Sequence, residues 1–158
     1  MEIKLEKATN IDAKSIFDIQ LNAFKPLLEK YKDYDTNPAN ENIERIITRI
    51  NNPNGGFYKI NADNTLVGAI CIFWKEDEQF WISPMFIHPN YQGKGIAQNA
   101  INLLEELFPQ ATTWELATIL EEKRNCYLYE KMGYIQTDVT KKINDNTTLI
   151  FYKKPTKQ

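Results

Sequence analysis

The segment Met85-Phe86-Ile87-His88-Pro89-Asn90-Tyr91-Gln92-Gly93-Lys94-Gly95-Ile96-Ala97 constrains this chain more than any other, because it carries an apolar strand through a glycine-rich turn into a helix. The helix is predicted over Gly95 to Phe108, where Ala97, Ala100, Ile101, Leu104 and Phe108 recur on one side and Pro109 ends the run. Amides at a helix start have no intrahelical acceptor, and the helix dipole adds partial positive charge there, so such a turn is a ready anion site. Gly93 and Gly95 lack the Cβ atoms that would stand between backbone and a diphosphate, Ala97 is small, and Lys94 adds a cation at the rim. A nucleotide-triphosphatase loop is excluded, since Gly93-Lys94 is followed by Gly95 and not by a hydroxyl residue. A dinucleotide fingerprint is excluded as well, because Gln98 stands where its third glycine belongs. Taken alone, the turn still leaves open a plain strand-to-helix connection.

The rest of the chain reads as strands and helices in a definite order. Strands are expected at Ile3 to Lys7, Phe57 to Ile60, Leu66 to Trp74, Phe80 to Ile87, Thr112 to Ala117, near Tyr134 to Thr137, and at Thr147 to Tyr152. The unbroken apolar run from Leu66 predicts a central strand covered on both faces. An early helix reaches about Phe24 and is interrupted at Pro26, with Leu27, Leu28 and Tyr31 in a second short piece. Asn40 is expected to cap a further helix carrying Ile43, Ile46, Ile47 and Ile50, and Glu121 to Met132 forms a helix closed by Gly133. The order predicts an α/β (α+β) fold: a mixed, mostly antiparallel sheet of about seven strands with helices on both faces. With 158 residues and 42% apolar content, one domain spanning the whole chain is expected.

Composition narrows the function. A formal charge of −2 argues against nucleic acid, which selects basic surfaces. No stretch approaches the roughly 18 apolar residues of a membrane span, and Met1 to Lys7 alternates apolar and charged positions unlike a signal peptide, so a soluble cytoplasmic protein with no membrane partner is expected. Cys71 and Cys126 show no metal-ligand spacing and no disulfide framework, so both read as core thiols and no metal is expected.

At Gln92-Gly93-Lys94-Gly95-Ile96-Ala97 the chain resembles the GNAT superfamily of N-acetyltransferases, whose signature is Gln or Arg, two residues, Gly, one residue, then Gly or Ala. The exit Ile87-His88-Pro89 and the later segment Asn125-Cys126-Tyr127-Leu128-Tyr129-Glu130-Lys131-Met132-Gly133-Tyr134 resemble that family too, the latter its second core motif. The resemblance implies acetyl-CoA as co-substrate, lying between the strand that ends at Ile87 and the strand near Glu115. Its pantetheine arm would pair with main chain at Met85, Phe86 and Ile87, and its pyrophosphate would sit on the amides from Gly93 through Lys94, Gly95 and Ile96 to Ala97. Tyr129 stands at the family's position for the acid that protonates the departing sulfur, and a phenol of ordinary pKa about 10 suits that work. Asn125, one turn before Tyr129 on the same helix face, is a cofactor-binding candidate, although many family members carry the corresponding asparagine where this chain has Glu122. The resemblance further implies a primary amine of a small molecule or peptide as acceptor and a pocket walled by the early helices; because neither Cys71 nor Cys126 has a histidine partner suggested by the sequence, direct attack in a ternary complex with no covalent enzyme intermediate is expected. Dimers are common in the family, so a homodimer stays open.

For the base that frees the amine, Glu115 comes first, then Glu78 and His88, each with an alternative as a solvated strand-end charge or a turn-shaping ring. Asp33, Asp35, Glu41 and Glu44 make the region before the second helix acidic. A different class of function also remains: an acyl-CoA-binding module without turnover, in which Tyr129 is structural. In a third reading the glycine turn binds nothing.

Overall fold

The computed structural model describes residues 1–156. In chain order the strands are β1 (Ile3–Lys7), β2 (Gly55–Ala62), β3 (Thr65–Lys75), β4 (Gln79–Ile87), β5 (Thr113–Ile119), β6 (Ile135–Asn144) and β7 (Thr147–Pro155). The helices are α1 (Ala13–Tyr31), α2 (Ile43–Ile50), α3 (Ile96–Leu107) and α4 (Lys123–Lys131). The strands form one sheet in the order β1-β2-β3-β4-β5-β7-β6, antiparallel throughout except for β4 beside β5.

Residues Val67 to Ile72 of β3 are all buried, which follows from helices on both faces of the sheet. On one face Ile60, Val67, Ile70 and Ile72 pack with Ile96, Ala100, Ile101 and Leu104 of α3, and with Cys126 and Tyr129 of α4. On the other, Phe57, Ala69, Cys71 and Phe86 pack with Ile16 of α1 and Ile46 and Ile50 of α2. Fully burying one such aliphatic side chain stabilises the fold by about 1.5–3 kcal/mol. Burial also pushes the Cys71 thiol up to about 12, so Cys71 is a core thiol; Cys126 is likewise buried and unpaired.

Three elements differ from the sequence expectation. Pro26 does not interrupt α1, which runs unbroken from Ala13 to Tyr31. Pro26 and Asn22, whose carbonyl loses its partner four residues on, are both exposed, so water satisfies the orphaned acceptor. α1 ends instead at Lys32, in the left-handed region with φ 55°, whose N–H donates to the Leu28 carbonyl. Asn40 lies in a 3₁₀ turn (Pro38–Asn40), and it is Asn42 that caps α2, its side chain accepting from Arg45 N–H. β6 extends to Asn144 through Thr-Asp-Val-Thr-Lys-Lys, an edge strand too polar to be legible by alternation. Gly133 follows the end of α4 with φ 95°, the capping conformation expected of it.

β4 is irregular part-way along its length. Ile70 pairs with Met85 and Ile72 with Ile82, so Ser83 and Pro84 oppose Cys71 alone, a bulge that adds a residue to β4. Pro84 has no amide to donate, which fits a bulge and not a regular ladder. β4 and β5 pair only at Gln79↔Thr113, Phe80↔Trp114 and Trp81↔Glu115. Beyond that rung β5 stays bound to β7 through Ile119 while β4 continues to Ile87 paired with β3 only, and the sheet is split between β4 and β5.

Candidate active site

The split and the glycine turn form one continuous feature. The His88 amide donates to the Val67 carbonyl at 2.7 Å. Antiparallel alternation then turns the main chain of Phe86 toward its partner Ala69 on β3, and turns Met85 and Ile87 away from β3 into the split. The Phe86 side chain is buried against Phe24 and Phe57 at 5.8 and 6.4 Å between ring centres, so this residue faces the core and not the split. A Cβ on Gly68 would lie 2.3 Å from the Phe86 carbonyl oxygen, so the close passage of β3 beside this end of β4 requires glycine.

Past Ile87 the chain makes a 3₁₀ turn (Pro89–Tyr91) that His88 begins. The His88 Nδ1 accepts from the Asn90 amide at 3.1 Å, and its ring meets Tyr91 edge-on at 6.3 Å, so this histidine shapes the turn. Gln92 donates its side-chain Nε2 to the Ile87 carbonyl at 2.9 Å, tying the turn to the end of β4. Replacing Gln92 by Ala is expected to lower stability by about 1 kcal/mol, a fall in Tm of about 2–4 °C in a thermal melt, and to weaken acetyl-CoA binding by loosening the turn.

Gly93 and Gly95 adopt φ 76° and 78°, the left-handed region that only glycine enters without strain, and a Cβ at either would meet nothing within 4 Å. Gly95 is the N-cap of α3 and supplies no side-chain cap. Consequently the amides from Gly93 to Gln98 make no hydrogen bond within the described residues, while Asn99 N–H is the first to find a helical acceptor, Gly95 O, at 3.2 Å. Ile96 sends its side chain into the core at 2% exposure, so only its amide is available; Ala97 is half-buried and Lys94 exposed.

On the face of α3, α4 starts just beyond the end of β5, held by the Cys126 thiol against the carbonyls of Ile119 and Leu120, both at 3.7 Å. Tyr129 packs against Tyr134 at 6.1 Å and Tyr152 at 6.2 Å. The other two hydroxyls are engaged: Tyr134 donates to Glu105 at 3.2 Å and Tyr152 to Glu130 at 2.6 Å. The Tyr129 hydroxyl makes no hydrogen bond to any described residue, and burial holds its pKa well above the ordinary phenol value. Asn125, one turn earlier, is half-buried with a side-chain amide equally without a partner among the described residues. Glu122 is committed elsewhere, accepting from the Tyr31 hydroxyl at 2.8 Å with Lys30 at 3.6 Å. The Tyr31 carbonyl in turn accepts from Asn144 at 2.8 Å and Thr147 at 3.3 Å, pinning the end of α1 to the β6–β7 hairpin. Nothing in the sequence pattern links these five residues. Of the carboxylates considered as bases, Glu78 is exposed at the start of β4, the opposite end from the glycine turn, whereas Glu115 sits on the last rung before the split.

The Acetyltransferase (GNAT) family profile matches residues 14–134, which include both motifs and the split. The chain belongs to the GNAT family. It is an N-acetyltransferase by that membership, with acetyl-CoA as its co-substrate. No curated protein sequence matches it. Among solved structures, the ribosomal-protein-S18-alanine N-acetyltransferase from Escherichia coli superposes with a TM-score of 0.78 at 10% identity, over 98% of this chain and 94% of that one. The PaiA N-acetyltransferase from Thermoplasma acidophilum, solved with coenzyme A, gives 0.75 at 17% identity over 99% and 100%. The spermidine N-acetyltransferase from Vibrio cholerae, solved with CoA and spermine, gives 0.76 at 17% over 96% and 94%. These likenesses fix the GNAT fold of the chain. The site also fits an acyl-CoA on its own chemistry: a run of unpaired amides for phosphate oxygens, and beside it an uncovered strand edge for an amide-bearing arm.

Proposed function

We propose that this GNAT chain moves an acetyl group from acetyl-CoA to a primary amine of a small molecule or peptide, by direct attack in a ternary complex, with Tyr129 as general acid. The observation that carries the reading is the continuity of the unpaired amides from Gly93 to Gln98 with the uncovered β4 edge at Met85 and Ile87. In this reading the amides of Gly93, Lys94, Gly95, Ile96 and Ala97 hold the diphosphate, and Lys94 adds charge at its rim. Met85 and Ile87 pair with the pantetheine arm through their main chains, while Phe86 supports that edge from the core. Gln92 is a positioning residue, acting through the Ile87 carbonyl, and Asn125 offers its amide from α4.

Bound acetyl-CoA supplies an acyl carbon activated by a thiolate leaving group. The carbon–nitrogen bond forms as the carbon–sulfur bond breaks, the sulfur takes the phenolic proton of Tyr129, and the one proton shed by the attacking nitrogen is relayed through solvent to the phenolate, which restores the phenol. An ammonium has no lone pair, so the amine must arrive deprotonated. Because burial raises its pKa, Tyr129 holds its proton through the neutral range, as an acid must before the sulfur departs. Burial disfavours a thiolate in the same way, which brings donor and acceptor closer in proton affinity.

Thermal melts with acetyl-CoA, followed by thiol release across an amine panel, test this. Acetyl-CoA at a hundredfold excess over its Kd should stabilise the protein by about 2.7 kcal/mol. Binding without release of thiol from any amine would reassign the chain to an acyl-CoA-binding module, and no stabilisation at all would end the reading.

A further inference from the structure

The sheet has two edges, β1 and β6. β6 is blunted against further pairing by two breaks in its register, between Gln136 and Thr140 and between Lys142 and Asn144. β1 is regular and pairs with β2 without a break from Ile3↔Ala62 to Lys7↔Tyr58. Its hydrogen-bond phase is fixed at both ends: the Glu2 carbonyl accepts from Asp63 N–H, and Ala8 N–H donates to the Phe57 carbonyl, each at 2.9 Å. Alternation therefore turns the main chain of Lys4 and Glu6 toward β2 and that of Ile3, Leu5 and Lys7 outward, where no described residue meets it.

The side chains of β1 divide by face. Lys4 and Glu6 project to the side of α1, where Glu6 meets Lys59 at 2.8 Å and Lys59 meets Asp12 at 3.1 Å. Their side chains are 62% and 64% exposed. Ile3 and Leu5 project to the side of α3, and with Leu103, Glu106 and Leu107 they line an open groove of about 400 Å³ between this strand and the C-terminal half of that helix. Leu107 is half exposed there.

We propose that this edge is an interface between two copies of the chain, with β1 antiparallel to β1 about a two-fold axis at Leu5 and one sheet continuous across both. Only this register satisfies both the hydrogen-bond phase and the charges. Outward-facing main chains must oppose one another, so the neighbouring registers are centred on Lys4 or on Glu6, and each sets two like charges face to face. With Leu5 opposite Leu5, Lys4 of each copy stands directly opposite Glu6 of the other, in the closer, non-hydrogen-bonded kind of pair, where opposite charges stabilise. About six main-chain hydrogen bonds join the strands through Ile3, Leu5 and Lys7. The two grooves meet over the Leu5 pair, and Lys7 comes opposite Ile3, at the groove that carries Glu106; neither Lys7 nor Glu106 has an ion pair among the described residues. One strand pair and one shared groove make a small interface, so the dimer is concentration-dependent. β2 and β3 separate β1 from β4, and Leu107 lies at the end of α3 remote from the glycine turn, so the interface leaves the acetyl-CoA site free.

Sedimentation equilibrium of the whole chain from about 1 to 100 μM tests this, and the mass should rise with concentration toward twice 18.5 kDa. Lys4→Glu and Glu6→Lys each place like charges opposite one another at both symmetric sites, and each should raise the dimer Kd by at least about tenfold. An equimolar mixture of the two variants has opposite charges at both sites again and should dimerise within about threefold of the wild-type Kd. A cooperative melt with the acetyl-CoA stabilisation retained certifies that each variant is folded. A wild type that stays monomeric through the range, a dimer that both single variants leave intact, or a mixture that stays monomeric would each overturn the proposal, and none of these results bears on the N-acetyltransferase reading.

Discussion

Replacing Tyr129 by Phe is expected to lower kcat by about 10²–10⁴-fold, the usual worth of a positioned acid, while leaving the acetyl-CoA-induced rise in Tm unchanged. That loss corresponds to about 3–5 kcal/mol in the barrier. The substitution is unusually clean in this fold. Only an oxygen is removed, that oxygen has no hydrogen-bond partner among the described residues, and the ring keeps its packing on Tyr134 and Tyr152. The equivalent change at Tyr134 or Tyr152 would also remove a hydrogen bond to Glu105 or Glu130, so neither is as clean a test of chemistry. The pH dependence carries a sign as well. Burial raises the Tyr129 pKa above its ordinary value of about 10, so ionisation of this phenol cannot produce a falling limb below that pH. The same shift makes Tyr129 contribute stability that is fully present below pH about 10 and is lost as pH rises through the raised folded value, a contribution that Tyr129→Phe removes. Steady-state kinetics and alkaline melts of the pair measure both effects; equal kcat in wild type and variant would remove Tyr129 from the chemistry.

How much of this was legible in the sequence depends on whether the information is local. The glycine turn, the run of β3 and the cap at Gly133 were readable because backbone conformation and period write themselves into adjacent residues. Pro26 misled for the same reason: the local rule gives the cost of a missing amide, but the exposure that offsets it belongs to the tertiary structure. Pro84, by contrast, carried a signal that the strand expectation over Phe80 to Ile87 left unused. A proline inside an apolar strand argues for a bulge, and here the bulge and the split lie on the same strand. The clamp from Gln92 to Ile87 and the link from Tyr31 to Glu122 were not readable, because side-chain hydrogen bonds leave no periodic trace. The in-register row of Phe73, Trp81, Glu115 and Lys153 across β3, β4, β5 and β7 was out of reach for a stronger reason. It exists only through the register of four strands, and moving β5 by one residue would turn Glu115 to the other face.

Gly95→Val should abolish acetyl-CoA stabilisation, and a comparison built into the fold separates that effect from simple damage. Gly95 holds φ 78° at the N-cap of α3, where a β-branched residue pays about 1–3 kcal/mol of backbone strain. In the protein alone that strain is the whole cost, because the added Cβ meets no atom within 4 Å. The variant can relieve it by twisting the turn toward negative φ, and the amides from Gly93 to Gln98 then cease to converge. Gly133 provides the control. Its φ is 95°, a Cβ there would lie 3.4 Å from Lys154 Cε, and it closes α4 away from the glycine turn. Gly133→Ala therefore carries a comparable backbone penalty with no route to the diphosphate. Both variants should melt several degrees lower than wild type, yet only Gly133→Ala should regain about 2.7 kcal/mol from a hundredfold excess of acetyl-CoA. Full stabilisation of Gly95→Val by acetyl-CoA would mean that the coenzyme is held without these amides.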